Sequence, residues 1–383
     1  MKSERREGWT RRRALQGLAA AGALFPANGL AGGTTLGPEQ IEAGKIFLRD
    51  HVSVDVHCHP GRFFLRGVTA PSPRLQAYGA PFEVEAATAM REGQVSCGFF
   101  SGVADMSLLE FSPERGLHAT RDFRPGEAWA DYTRQIATLN ALVASGTAVD
   151  GRSTRSIGQA HERGAVAATF AIEGGDFIEA RLDRVAEAHA DGVRSITIVH
   201  YHVNRIGDIQ TEAEVHGGLT ALGRDIVREM NRAGIIVDVA HATLAVTRDV
   251  AAVATRPVLL SHSNVTGKGA PPHPRLVSPD HARIVADTGG VVGSVPSGIN
   301  QSRFEDWIES ILRLVDAVGV DHVAIGTDMD ANYRPVFTDY RQWHLIPAAL
   351  LARGMSTAEA AKVMGGNALR LMEAQTPAHR ARQ

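Results

Sequence analysis

Seven side chains able to hold a metal ion or move a proton stand at the ends of short apolar runs: His57, His59, Glu173, His200, His241, His262 and Asp328. A single histidine so placed is usually a satisfied core residue, but seven such groups closing separate runs point to one shared centre. His57 and His59 are two residues apart, so on a strand they share a face while Val54, Val56 and Cys58 point to the other. Imidazole and carboxylate donors suit zinc and similar divalent ions. Glu173 is able to bridge two ions through its two oxygens, with His57 and His59 on one and His241 and His262 on the other. Two metal ions sharing a carboxylate and a water give a bridging hydroxide near neutral pH and a clamp on an attacked carbonyl. Asp328, in Gly326-Thr327-Asp328-Met329-Asp330, is then the base that takes the water's proton and returns it to a leaving amine. Asp330 competes for that role, although loop capping or support is its favoured reading. Cys58 is the one thiol in the set, which argues against a closed structural zinc site.

Eight runs must position these groups: 52–59, 95–101, 166–173, 194–200, 235–241, 258–262, 290–295 and 322–328. Runs of this length rich in Val and Ile read as buried parallel strands. Amphipathic stretches such as 83–92, 219–233, 244–254, 304–318 and 356–371 separate them. Strand alternating with helix eight times predicts a single-domain (β/α)8 TIM-type barrel over residues 36–375. In that fold the C-terminal ends of the strands carry the active site, where the seven groups stand. The stretch from Gly102 to Ala165 is too long for one simple crossover. It reads as an extended loop over 111–126 and a helix over 129–144, in the manner of a lid or binding loop.

The composition is that of an ordinary globular chain: 383 residues, 44% hydrophobic, 21% charged, formal net charge −2. That charge gives no basic field for nucleic acid or an anionic membrane. Two cysteines, Cys58 and Cys97, are too few for a disulfide framework. They read as buried small side chains, and the sequence leaves a single bond between them open. Arg11-Arg12-Arg13-Ala14-Leu15-Gln16 precedes an apolar run from Gly17 to Phe25 and then small residues. This layout resembles a twin-arginine export signal, with Ala14 and Gln16 departing from the pattern. Residues 1–35 are therefore set apart as signal and linker, and 376–383 as a polar tail. The apolar run is shorter than the roughly 20 residues a membrane span needs.

The sequence resembles the membrane (renal) dipeptidases, the M19 metallopeptidases of the amidohydrolase superfamily. The resemblance runs from about Val52 to Met372. It is carried by Met90-Arg91-Glu92-Gly93, Ile172-Glu173-Gly174-Gly175, Gly218-Leu219-Thr220, Val237-Asp238-Val239-Ala240-His241, Ser261-His262-Ser263-Asn264, Gly326-Thr327-Asp328-Met329-Asp330 and Gly365-Gly366-Asn367. It implies two zinc ions, one on His57, residue 59 and Glu173, the other on Glu173, His241 and His262. It further implies that His200 polarises the substrate carbonyl, that Asp328 is the acid–base residue and that Arg275 binds the substrate carboxylate. A guanidinium fork suits that partner. Where the family has Asp, this chain has His59, which makes the cluster more positive by about one charge and opens a change of metal or substrate.

The expectation is therefore an exported hydrolase of dipeptides, including those with a C-terminal D-residue. It acts by a hydroxide bridging two divalent metal ions, with a homodimer as the base-rate assembly. One alternative is hydrolysis of another small amide, an N-acyl amino acid or a lactam. A second is a catalytically silent peptide-binding protein, against which the retention of His200 and Asp328 speaks.

Overall fold

The apolar runs become strands because β-branched residues pack well on a pleated surface buried on both faces. In the computed structural model, which describes residues 36–69, 73–112, 114–267 and 273–376, eight parallel strands form the central sheet. They are β1 (Val54–Cys58), β2 (Cys97–Val103), β3 (Ala167–Glu173), β4 (Val193–Thr197), β5 (Ile236–Asp238), β6 (Leu259–Ser263), β7 (Val291–Ser294) and β8 (Val323–Ile325). Each pairs with the next, and β8 returns to β1 through Asp55 and Ile325, so the barrel closes. The longest ladder joins β2 to β3, from Cys97–Ala167 to Val103–Glu173. A two-residue strand, Val149–Asp150, adds to the outside of β3. The proposed export signal lies outside the described residues, as does the tail beyond Thr376.

Several helices run as the periodicity predicts: Glu83–Glu92, Ala221–Ala233, Leu244–Val253 and Phe304–Val318. The last stretch is interrupted. Thr357–Ala361 and Asn367–Gln375 flank a π turn over Lys362–Gly366, where Gly365 passes so close to β1 that a Cβ would lie 2.3 Å from the Val52 carbonyl oxygen. Among the described residues no helix is long and apolar enough to cross a membrane.

Val54, Val56, Phe99, Ile236, Leu259 and Val291 belong to one buried cluster that draws on seven of the strands and so fills the lower barrel. Its presence corrects the expected alternation of β1. Val56 lies against Gly293 and Gly326 inside the barrel, yet its neighbour His57 also faces inward, toward Ser261 and His262. The pairing with β2 shifts register between Asp55 and Cys58, and an irregularity of that kind lets consecutive residues share a face. Gly293 and Gly326 bring their backbones onto the Ser261 carbonyl, where a Cβ would sit only 1.8 and 1.9 Å away. No other residue fits beside the strand that carries His262.

The segment from 102 to 165 also departs from expectation. Instead of an extended loop it contains an antiparallel hairpin, Leu109–Ser112 with Gly116–Ala119, and its helix begins at Glu127. Cys58 and Cys97 are both buried free thiols.

Candidate metal centre

His57 and His262 stand within their strands, and Glu173 is the last residue of β3. His59 follows β1 by one position, while His200, His241 and Asp328 each lie three residues beyond β4, β5 and β8. The barrel brings all seven to its C-terminal mouth. Two of them hold backbone conformations that residues with a Cβ rarely adopt: His241 at φ 66° and Asp328 at φ 54°. Such strain persists only where the surroundings over-determine it, and it collects at functional sites.

Glu173 is the hub. Its Oε1 lies 3.0 Å from His241 Nε2, 3.4 Å from His262 Nε2 and 3.5 Å from His57 Nε2. Its Oε2 lies 3.5 Å from His59 Nε2 and 3.4 Å from His200 Nε2. The donors fall into two triads that share Glu173, namely His57–His59–Glu173 and Glu173–His241–His262, with all ligand atoms of a triad within 4.8 Å. All five residues are buried.

The chemistry of these donors fits cations. His57 Nε2, His59 Nε2 and Glu173 Oε1 are buried without a hydrogen-bond partner, a costly state unless something positive sits between them. On His57, His59 and His262 the outer ring nitrogens are anchored, whereas His241 Nδ1 is buried without a partner. His59 Nδ1 lies 2.6 Å from the Ser101 carbonyl oxygen, and Ser261 Oγ lies 2.9 Å from His262 Nδ1 and 3.4 Å from His57 Nδ1. Bonds of this kind fix the tautomer and aim Nε2 inward.

Electrostatics point the same way. Burial above all, then Arg275 at His241 and His57 at His262, holds both imidazoles well below the usual histidine range. That direction favours the neutral form, which a metal ligand requires. Burial also opposes charge on His57, but the Glu173 carboxylate outweighs it and raises that imidazole to about 9. Glu173 resists the same burial through His200 and His57 and stays well below the carboxylate range. A cation entering between them would displace the proton on His57, so binding is coupled to proton release.

The remaining groups face one cavity of about 630 Å³ lined by Glu173, His200, His241, His262, Arg275 and Asp328. Asp328 Oδ1 is 3.1 Å from His59 Nε2 and 3.9 Å from His57 Nε2. Arg275 is nearly buried, and its Nη1 donates to Gln210 Oε1 at 2.7 Å. Asp330 takes a different place. Its Oδ2 accepts from the Gly61 N–H at 2.7 Å and its carbonyl from Arg62 Nε, so it ties down the loop after β1.

Sequence reasoning missed Asp105. Fully buried, it places Oδ1 2.6 Å from His200 Nδ1, while Oδ2 accepts the backbone N–H groups of Tyr201 and His202. Burial opposes charge on His200, and Asp105 with Glu173 overcomes it and raises the imidazole above its ordinary value. The signal was available: β2 runs to Val103, two residues past the expected end, and Asp105 is the carboxylate that follows it. Two more buried carboxylates brace the ligands from inside the runs. Asp55 accepts from Thr327 and Tyr340, and Asp238 from Thr197 and from the Ser261 N–H.

Residues 45–383 match the family model described as membrane dipeptidase (Peptidase family M19). Among curated proteins, the chain is 36% identical over 194 residues to "Dipeptidase tcpJ" of Claviceps purpurea, covering 48% of this chain and 45% of that protein. It is 28% identical over 276 residues to "Dipeptidase verJ" of Clonostachys rogersoniana, covering 68% and 69%. The chain thus spans less than half the length of the first relative and about two thirds of the second. Among solved structures, the fold matches a metallopeptidase of Rhodobacter sphaeroides liganded with a phosphinate mimic of the dipeptide L-Ala-D-Ala. That match has a TM-score of 0.71 at 22% identity, over 85% of this chain and 99% of that one.

Proposed function

This chain belongs to the membrane dipeptidase family, Peptidase family M19, and from that premise we propose that it hydrolyses the peptide bond of dipeptides at a centre of two divalent metal ions. The observation that carries the reading is Glu173, shared between two pairs of buried histidines in a cavity that Asp328 and Arg275 also face. His57, His59 and Glu173 would hold one ion and Glu173, His241 and His262 the other, and four imidazoles with one carboxylate suit zinc. Bound there, the ions would polarise the peptide carbonyl and acidify the attacking water.

The chain's own groups do the rest. Arg275 receives the substrate's C-terminal carboxylate through its guanidinium fork, which fixes the scissile bond over Glu173. His200 presents Nε2 beside Glu173 Oε2 and stabilises the carbonyl oxygen as it gains charge. Asp105 fixes Nδ1 of the same ring. Asp328 accepts the proton of the attacking water and delivers it to the departing amine. A D-residue at the second position is part of the proposal, and the ligand of the Rhodobacter structure is what supports it.

The test is turnover of the zinc-loaded protein on L-L and L-D dipeptides, a dipeptide amide and an N-acetyl amino acid, with Asp328→Asn as control. We expect cleavage of free dipeptides, weak or no cleavage of the amide and an inactive control. Cleavage of the N-acetyl compound alone would replace dipeptide hydrolysis by hydrolysis of another amide.

A further inference from the structure

We propose that the hairpin after β2 forms the subsite for the substrate's amino-terminal side chain, and that this side chain is large and apolar. The inference rests on the dipeptidase reading, with Arg275 at the carboxylate end.

In a closed eight-stranded barrel, strands four apart lie opposite one another. Arg275 follows β6 and the hairpin follows β2, so the two stand on opposite walls of one cavity. A dipeptide whose carboxylate meets Arg275 and whose scissile carbonyl lies over Glu173 must send its first residue toward the hairpin.

The hairpin's register sets what that residue meets. Leu109 pairs with Ala119 and Phe111 with Leu117, while Glu110 and His118 form the pair between them. Side chains alternate along a strand, so Leu109, Phe111, Leu117 and Ala119 share one face. Phe111 and Leu117 line the cavity with Met106 and Tyr78. The tip is held across the mouth by Arg115, whose Nη2 donates to Glu212 Oε1 at 2.7 Å in the loop after β4.

Exposure supplies a second observation. Phe111 is 54% exposed and Tyr333, on the β8 side of the same cavity, is 50% exposed. Apolar ring surface at the rim of a polar site is area that a ligand can cover, and the Tyr333 ring also carries the Arg334 guanidinium 5.3 Å from its centroid. The hairpin side of the cavity thus offers the apolar area of Met106, Phe111 and Leu117, and the charged residue beside them, Arg115, is paired with Glu212.

The test compares kcat/KM of the zinc-loaded protein for Phe-Ala, Leu-Ala, Ala-Ala and Glu-Ala, with Phe111→Ser and Phe111→Leu beside the parent chain. An apolar pocket discriminates by about 10- to 200-fold. We expect Phe-Ala and Leu-Ala to exceed Ala-Ala by at least about tenfold, with Glu-Ala lowest. We expect Phe111→Ser to collapse the Phe-Ala to Ala-Ala ratio and Phe111→Leu to restore most of it. Equal rates across the panel, or a ratio unchanged in Phe111→Ser, would overturn the subsite while leaving the dipeptidase reading intact. No turnover of any dipeptide would instead remove the reading on which the subsite rests. Phe111 is half-exposed, so its replacement leaves the barrel core untouched, and thermal melting of each variant checks this.

Discussion

Replacing Glu173 by glutamine should abolish both proposed metal sites at once, because its carboxylate belongs to both triads. The amide keeps the side chain's shape but exchanges one oxygen for an NH2 group that cannot ligate, and it removes the one carboxylate of the cluster. The size of the effect follows from linkage. A ligand present at 1,000 times its dissociation constant stabilises the native state by about 4.1 kcal/mol, so two ions contribute about 8 kcal/mol. The folded body from Leu36 to Thr376 has about 340 residues, and at roughly 2.1 cal/mol/K per residue its unfolding entropy is about 0.7 kcal/mol/K. Metal loading should therefore raise the melting temperature of the parent protein by about 11 °C. In Glu173→Gln the rise should nearly vanish, whereas His262→Asn, which touches one triad, should keep roughly half of it. Calorimetry with and without chelator, paired with metal content by mass spectrometry, reads both quantities. A Glu173→Gln protein that still carries two ions and melts with the parent's shift would refute the shared-carboxylate reasoning.

Three further outcomes follow from the geometry. Asp105→Asn keeps an acceptor for the Tyr201 and His202 amides but turns an NH2 toward His200. Turnover should fall about 10- to 100-fold, and His200→Ala added to it should cost little more, which a double-mutant cycle measures. Arg275→Ala should raise KM for free dipeptides by roughly 10- to 100-fold, the worth of a charge-assisted pair, and erase the preference over dipeptide amides. His281 is held down to about 4 by burial and then by Arg248, and its Nε2 lies 2.7 Å from Thr247 Oγ1. A histidine kept neutral in the native state stabilises it above the unfolded value near 6.5, and that stability is lost as pH falls from 6.5 through 4. The loss is roughly 3 kcal/mol at most, and chelator-treated His281→Gln should show a flatter melting profile than the parent over that range.

Much of this was legible in the residues because a barrel makes its strand ends chemically conspicuous. An apolar run that halts at His57, Glu173 or Asp328 announces both the strand and the donor. What could not be read was local. The β1 irregularity at Val56 and His57 leaves no mark in a sequence that alternates cleanly on paper. The hairpin strands have four residues each, and Glu110, Ser112 and the turn residue Arg115 surround their apolar face, so they resemble a polar loop. Asp105 was hidden by placing the end of β2 two residues early. His200, His241 and Asp328 were read as strand ends but stand on the turns beyond, because the backbone must leave the ladder to aim them at the cavity.

The left-handed backbone at His241 and Asp328 sets this protein's stability and its chemistry against each other. Glycine is the residue those two positions would take on conformational grounds alone, and a side chain held there costs about 1 kcal/mol or more. Asp328→Gly should thus melt above Asp328→Ala, although both lack the carboxylate. A lineage released from selection for catalysis would gain stability by exactly the substitutions that silence the site. A glycine at either position in a related chain would mark a barrel that has kept its fold and abandoned its reaction.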